Sequence, residues 1–439
     1  MADHQPSHAT PAATSPSFAA LRHPAYRIYL LGSTLAMMAD SIEHVISYWI
    51  MYQKFHSPAL AGFAVFSHWL PFLFFSVYAG ALADRFDPRR LIQISMGLFM
   101  ISSLGWGALF LTDTLAVWHA AVLLVIHGFA GVLWAPAGQL LIHDIVGKTH
   151  LQSAVRMMAT SRTLGLLLGP AVGGAVMLAI GPTEGILLNV LIYLPLTLWL
   201  WKAPYGHRFR QGGATAVPPR AVRGYRDIVA TIRLIAGNRV ILSMILLAGG
   251  ASLLVGNAFQ AQMPEFAEDL GHSDADLFYS VLLAANAGGA VVAGVVLESR
   301  ALLEARPRTA FILVLLWCLA IGGFAATSIY PLAVVLMFCA GFLNLAYTTM
   351  AQTLVQLHAP DDIRGRVIGL YNMAGLGLRA FSGITVGFGG SLVGIHWSLA
   401  LSALALLALT VSLASFLIRT RPAPPADASL SPVPEAERP

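Results

Sequence analysis

The sequence predicts an all-α membrane protein with twelve transmembrane helices in two pseudo-symmetric six-helix halves. Three observations carry that prediction. Of 439 residues, 57% are hydrophobic and only 11% charged, which leaves too little polar surface to cover a water-soluble globule. Apolar segments of about 20 residues, the length that spans ~30 Å of hydrocarbon, begin near Ile28, Ala59, Leu91, Leu115, Leu151 and Gly185, and again near Val240, Asp276, Thr309, Pro331, Ile363 and Trp397. Finally, the halves repeat each other. Gly128-Phe129 with Gln139 recurs as Gly341-Phe342 with Gln352, and Gly80 with Asp84 recurs at nearly the same offset as Gly294 with Glu298.

Taken in order, residues 1–22 are rich in Ala, Ser, Pro and Thr and lack the basic start and apolar core of a secretory signal, so they read as a disordered cytoplasmic tail. Residues 23–202 form the first half and 239–421 the second. The linker 203–238 opens Gly/Pro-rich and basic, then ends in YRDIVATIRLIAG, whose Ile228, Ile232 and Ile235 are expected on one face of a surface helix. Residues 422–439, rich in Pro and Ala, read as a second disordered cytoplasmic tail.

Charge sets the orientation. Of the 26 basic residues, all but Lys54, Arg162 and Arg379 fall in alternate loops or tails, so those loops and both termini are expected on the cytoplasmic side. The opposite loops hold Lys54 alone among basic residues, and the longest carries Glu265, Glu268, Asp269, Asp274 and Asp276. The net charge of +5 is therefore topology, and no nucleic-acid partner is expected. The partners are the lipid bilayer, a small-molecule substrate and protons. Cys318 and Cys339 lie inside apolar runs and read as small buried hydrophobes. No nucleotide loop, zinc spacing or nucleophile elbow occurs in the cytoplasmic segments, so no cofactor, no metal, no enzymatic activity and no ATP-driven pumping is expected.

The loop GALADRFDPRRLI, Gly80 to Ile92, resembles the signature between helices two and three of the major facilitator superfamily. Gly80, Asp84 and Arg85 match it, as does the basic pair Arg89 and Arg90; Asp87-Pro88 stands where that signature most often has a second glycine. The fifth segment carries GLLLGPAVGG, with Gly165, Gly169, Pro170, Gly173 and Gly174, similar to the glycine and proline signature of facilitator exporters. The loop DDIRGRVIGLY, Asp361 to Tyr371, resembles the siderophore-exporter and macrolide-efflux branch, which often has an aspartate where Asp87 lies. The resemblance implies a proton-coupled exporter of a small organic molecule, working by alternating access as a monomer in a bacterial inner membrane. It also implies a conformational latch of Gly80, Asp84, Arg85, Arg89, Arg90, Glu298, Arg364 and Arg366, in which Asp84 acts on the start of the eleventh helix. A proton-coupled importer or uniporter of an organic anion, and a non-transporting receptor that keeps the fold, remain open.

The candidate site residues are the charges inside the membrane. Asp40, Glu43 and His44 lie at i, i+3 and i+4 in the first segment and project from one face. Asp40 is about 20 Å along a helix starting near Ile28, at ~1.5 Å per residue, hence close to the midplane. Such acids are costly to bury and mark transport pathways, so Asp40 and Glu43 are expected to couple protons to transport. Arg162 and Arg379 are expected either to pair with them or to hold a substrate carboxylate or phosphate. His68 lies at the depth of Asp40, and His127, Asn189, Asn257, Asn286, Asn344 and Asn372 read as helix-to-helix hydrogen bonds. The bare glycine face of the fifth segment is expected to pack on the eighth, where AANAGGAVVAG is similarly bare.

Overall fold

A computed structural model describes residues 17–419 apart from 56–57, 207–224, 257–258, 260–262, 272–274, 301, 383–385 and 387–388. All regular structure among them is helical. The first half holds α1 (Pro24–Phe55), α2 (Pro58–Arg85), α3 (Pro88–Leu111), α4 (Val117–Ile180) and α5 (Pro182–Lys202). Helix α4 supplies both the fourth and the fifth spans, which turn at Gly147, the one residue inside it with non-helical angles (φ 67°). Glycine takes that left-handed conformation without the Cβ clash of other residues. The second half holds α7 (Arg239–Leu254), α8 (Met263–Asp269), α9 (Ala275–Ser299), α10 (Pro307–Ala326), α11 (Tyr330–His358), α12 (Arg364–Gly375), α13 (Gly389–Val393) and α14 (Ile395–Arg419), with α6 (Tyr225–Ala236) ahead of it. Seven of the described helices are each long and apolar enough to cross a membrane.

The seventh and eleventh spans depart from the expectation of unbroken helices. The seventh stops at Gly256 (φ 52°) and resumes as α8. In the eleventh, α12 gives way at Gly375 to a 3-10 turn over Gly377–Phe381, and α13 follows. Glycines at 375, 377, 389 and 390 weaken helix there by ~1 kcal/mol each relative to alanine. Non-helical backbone at membrane depth survives only where protein or a water-filled cavity satisfies it.

Each half has its own apolar core. One cluster runs through α7 to α14, with Trp317, Phe266 and Phe324 fully covered. Three others fill the first half, around Tyr26, Tyr29, Phe99 and Tyr193, around Trp106, Ile42 and Ile46, and, smaller, around Phe72, Ala79 and Val132. Val77 of α2 belongs to the second half's core and Ile368 of α12 to the first half's, so these two helices are where the halves interlock. Gly80 and Gly365 face each other with backbone against backbone, so a Cβ on either would strike the other's carbonyl.

Three smaller expectations are corrected. Ala19–Arg22 form a 3-10 turn with Ala19 and Ala20 buried and the Ala20 amide donating to Ser153 Oγ at 3.1 Å, so order begins before residue 23. In α6 the inward face is Ile228, Thr231 and Ile235, while Ile232 is exposed; the 3,4 spacing, not the 4,3 spacing, meets the core. Cys318 is buried, but Cys339 is exposed on the outer face of α11. Residues 1–16, 420–439 and Asn257 lie outside the described residues.

Candidate functional site

The chain places the α2–α3 turn, the Gly147 turn and the α11–α12 turn at one end of the bundle, here called the basic end. Asp84 closes it. Its Oδ1 accepts from the Gly365 amide at 2.5 Å and its Oδ2 from the Arg366 amide at 3.0 Å. A buried carboxylate thus meets the unpaired amides in the first turn of α12, where the helix dipole favours negative charge. Its counterpart Glu298, at the end of α9, accepts from Ser153 Oγ and sits 3.5 Å from the Arg156 guanidinium. Arg156 also donates to the carbonyls of Leu297, Leu302 (2.8 Å) and Leu303 (3.2 Å). The repeated acids therefore do equivalent work, each tying the end of its helix to the opposite half.

Of the other latch candidates, Arg364 and the Arg366 amide also reach the first half. Arg89 is buried against Asp87 (2.6 Å) and the Ala203 carbonyl, Arg90 donates to Gln93 Oε1 at 2.9 Å, and Arg85 lies over the Phe86 ring. Asp87 caps α3, accepting from the Arg89 amide at 3.0 Å, with Pro88 at the first helical position. The Asp-Pro pair is thus a helix start, the local reason this turn does without the second glycine. Arg364 pairs with Asp361 and reaches His143 at 3.5 Å; Arg366 contributes its amide to Asp84. Deeper in, Gln139 Nε2 donates to Asn372 Oδ1 at 3.1 Å, and Gln356 Nε2 donates to Gln139 Oε1 at 3.2 Å.

Halfway along the first half, Asp40 and Glu43 are 8% and 2% exposed, and His127 of α4 is 4% exposed between them. His127 Nε2 is 2.7 Å from Asp40 Oδ1 and its Nδ1 is 2.9 Å from Glu43 Oε1. Glu43 accepts in addition from Ser102 Oγ (2.7 Å) and Ser103 Oγ (2.5 Å) of α3. Phe99 covers the imidazole edge-on at 4.7 Å. His44 donates Nδ1–H to the Asp40 carbonyl at 2.7 Å, and its ring lies 4.7 Å from His127 and 5.0 Å from His68. Ligand nitrogens of His44, His68 and His127 all fall within 4.8 Å of one another.

The arginines do not take the place expected of them. Among the described residues neither Arg162 nor Arg379 forms an ion pair with Asp40 or Glu43; His127 does. Arg162 is exposed on the fifth span, within Coulombic range of Asp40. Arg379 sits in the 3-10 turn with its guanidinium 5.4 Å above Trp69, and its Nε is buried without a hydrogen-bond partner. Glu43 likewise faces α3 rather than a cavity shared by the halves. The glycine face is also corrected: Cβ atoms on Gly165, Gly169 and Gly173 would meet Met37, Ser41 and Ile42 of α1, not α9, while Gly174 faces open space. The Pro170 side chain lies outside the described residues.

The profile of the Major Facilitator Superfamily matches residues 29–383. The chain belongs to the Major Facilitator Superfamily. Among curated facilitators, the enterobactin exporter EntS of Shigella boydii serotype 4 (strain Sb227) is 24% identical over 406 residues, covering 91% of this chain and 93% of that protein. The staphyloferrin A transporter of Staphylococcus aureus (strain NCTC 8325 / PS 47) is 24% identical over 189 residues, 40% of this chain and about half, 47%, of that one. The facilitator fold is equally clear in solved structures. The E. coli fucose:proton symporter FucP, in its outward conformation, superposes with a TM-score of 0.69 at 12% identity, covering 89% of this chain and 98% of that one. The human organic anion transporter MFSD10 gives 0.67 at 14% identity, covering 93% and 100%.

Within this facilitator, sequence reasoning underrated His127 and missed Ser102, Ser103 and Arg156. A lone histidine has no spacing signal, and two neutral serines in an apolar span carry no charge to single them out. Arg156 was grouped with loop charges, yet it lies inside α4 at 5% exposure.

Proposed function

We propose that this chain is a secondary active transporter that exports a small organic molecule across a bacterial inner membrane in exchange for protons, working as a monomer. The observation that carries the reading is where the halves are joined. The hydrogen bonds of Asp84, Glu298 and Arg156 gather at the basic end, with those of Gln139 behind them, while the polar constellation around Asp40 lies deeper in the bundle. One end is closed by contacts that a rocking motion can break, as alternating access between two repeats requires. Loops rich in Lys and Arg stay in the cytoplasm, so the basic end is the cytoplasmic gate, and Asp84 and Glu298 are its two latches. Export is supported by the glycine-rich fifth span and by the relative named an enterobactin exporter.

One observation favours a second reading, import or uniport of an organic anion: Arg162 and Arg379 have no ion pair among the described residues. Both readings are tested in proteoliposomes loaded with a pH-sensitive dye, under an imposed pH gradient, with a panel of neutral, cationic and anionic small molecules. Proton exit from the lumen on cargo entry supports exchange. Proton entry alongside cargo indicates symport, flux without proton movement indicates uniport, and absence of flux for every compound contradicts transport.

A further inference from the structure

We propose that His44, His68 and His127, together with Asp40, form a binding site for a divalent first-row transition-metal ion inside the first half. The inference goes beyond the transport reading.

The first argument is convergence. The three imidazoles come from three spans, α1, α2 and the first part of α4, yet their ligand nitrogens lie within 4.8 Å. Ligands around one tetrahedral ion, at ~2.0–2.2 Å from it, sit ~3.3 Å apart, so modest rotamer adjustment closes the set. Asp40 adds its carboxylate, with Oδ1 2.7 Å from His127 Nε2 and Oδ2 3.8 Å from His44 Nδ1.

The second argument is what stands behind each ring. A metal-binding histidine characteristically donates its other N–H to a carboxylate or a backbone carbonyl, which fixes ring and tautomer. His127 has Glu43 at Nδ1, and that carboxylate is itself held by two serine hydroxyls. This leaves Nε2 as the ligating atom, on the Asp40 side. His44 donates Nδ1–H to the Asp40 carbonyl, which leaves its Nε2 lone pair free. His68 Nδ1 is buried with no hydrogen-bond partner. A buried polar atom left unsatisfied is costly, and an ion would satisfy it.

The third argument is charge. Two buried carboxylates stand against the imidazole cluster, both within hydrogen-bonding distance of His127, and a divalent ion is the kind of charge that offsets such a pair. Arg162, within Coulombic range of Asp40, is exposed and bonds neither acid among the described residues. Three nitrogens with one carboxylate oxygen suit zinc, nickel, cobalt or copper rather than magnesium or calcium. The first-span acids thereby serve ion binding, with Asp40 as a ligand and Glu43 as a positioning residue behind His127.

The test uses full-length protein purified without a histidine tag, stripped with a chelator and titrated with Zn2+, reading bound ion per chain and Tm. The expected result is saturable binding of about one ion with a rise in Tm, as linkage requires. His68→Gln should abolish both; because His68 Nδ1 makes no hydrogen bond, the variant should fold, which its zinc-free Tm checks. Glu43→Gln leaves all four ligands and should weaken binding by about 10–100-fold. His150→Gln, which removes half of the His23–His150 contact at the basic end, should bind like the parent. Equal zinc binding by the parent and His68→Gln, or loss of binding in His150→Gln, overturns the proposal.

Discussion

Replacing Asp84 by Asn keeps the shape of the latch and removes its charge. The carboxylate accepts from two amides in the first turn of α12, at 2.5 and 3.0 Å. An asparagine can accept one of them, but its NH2 group then points an N–H at the other. Losing one hydrogen bond to a charged acceptor costs ~1.5–3 kcal/mol. On the proposed gating, Asp84 makes these bonds only while the basic end is closed, so that cost falls on the closed state alone. At ~1.4 kcal/mol per tenfold, the population open at the basic end should rise by about 10–150-fold. Ser76 reports it: it is 1% exposed, with its carbonyl against Gly369 of α12. With Cys318 and Cys339 replaced by Ala, Ser76→Cys should react with an impermeant maleimide from the basic side at least tenfold faster when Asp84→Asn is added. An unchanged rate would refute the reasoning, because it would mean that the two amide bonds do not hold the gate.

Further expectations follow from neighbouring contacts. Gly169→Leu or Gly173→Leu should abolish transport and lower Tm, since the new side chain wedges the fifth span away from Ser41, Ile42 and Val45 of α1, and overpacking costs ~1–3 kcal/mol or more; normal flux and melting would contradict this packing. Arg156→Ala strips the buried Glu298 of its ion pair, a loss of about 3–5 kcal/mol for a buried pair, and should open the gate in the same maleimide assay; Ser76→Cys labelling at the parent rate would show that this contact is dispensable. Burial raises the Asp361 carboxyl, but Arg364 and Lys148 outweigh it and hold it below the ordinary range. A depressed folded value gives stability that is present above about pH 3.9 and lost only as pH falls through the folded value. Asp361→Asn should therefore change the labelling rate by the same factor at pH 5 and pH 8, and a factor that vanishes at pH 5 would contradict the charge pairing.

Twelve spans were legible because a bilayer leaves a long apolar signature, and the basic loops likewise placed Asp84 and its turn. The breaks in the seventh and eleventh spans were less legible, because hydropathy averages over glycines that interrupt a helix without making it polar. In the site, Asp40, Glu43 and His44 announced themselves as ionisable groups at helical spacing in an apolar run. His127 did not, since its meaning comes from standing between Asp40 and Glu43 across the α1–α4 interface, and no spacing along one chain encodes that. The same holds for the fifth-span glycines. Their pattern showed a close approach, but α1 and α9 both offered small residues to receive it. Arg156 shows the limit of charge counting, because a residue near a turn can fold inward onto the carbonyls of the connection that follows another helix.

The central claim is that the halves rock about the middle of the bundle, so that the two ends open in turn. It is tested most directly by pulsed dipolar distances in nanodiscs from two spin-label pairs. One pair, at Lys148 and Asp361, spans the basic end, where those side chains are 3.8 Å apart; the other, at Asp113 and Leu392, spans the far end, where both are exposed. Adding Asp84→Asn should lengthen the first distance and shorten the second. Distances that move together, or that do not move at all, would contradict the account.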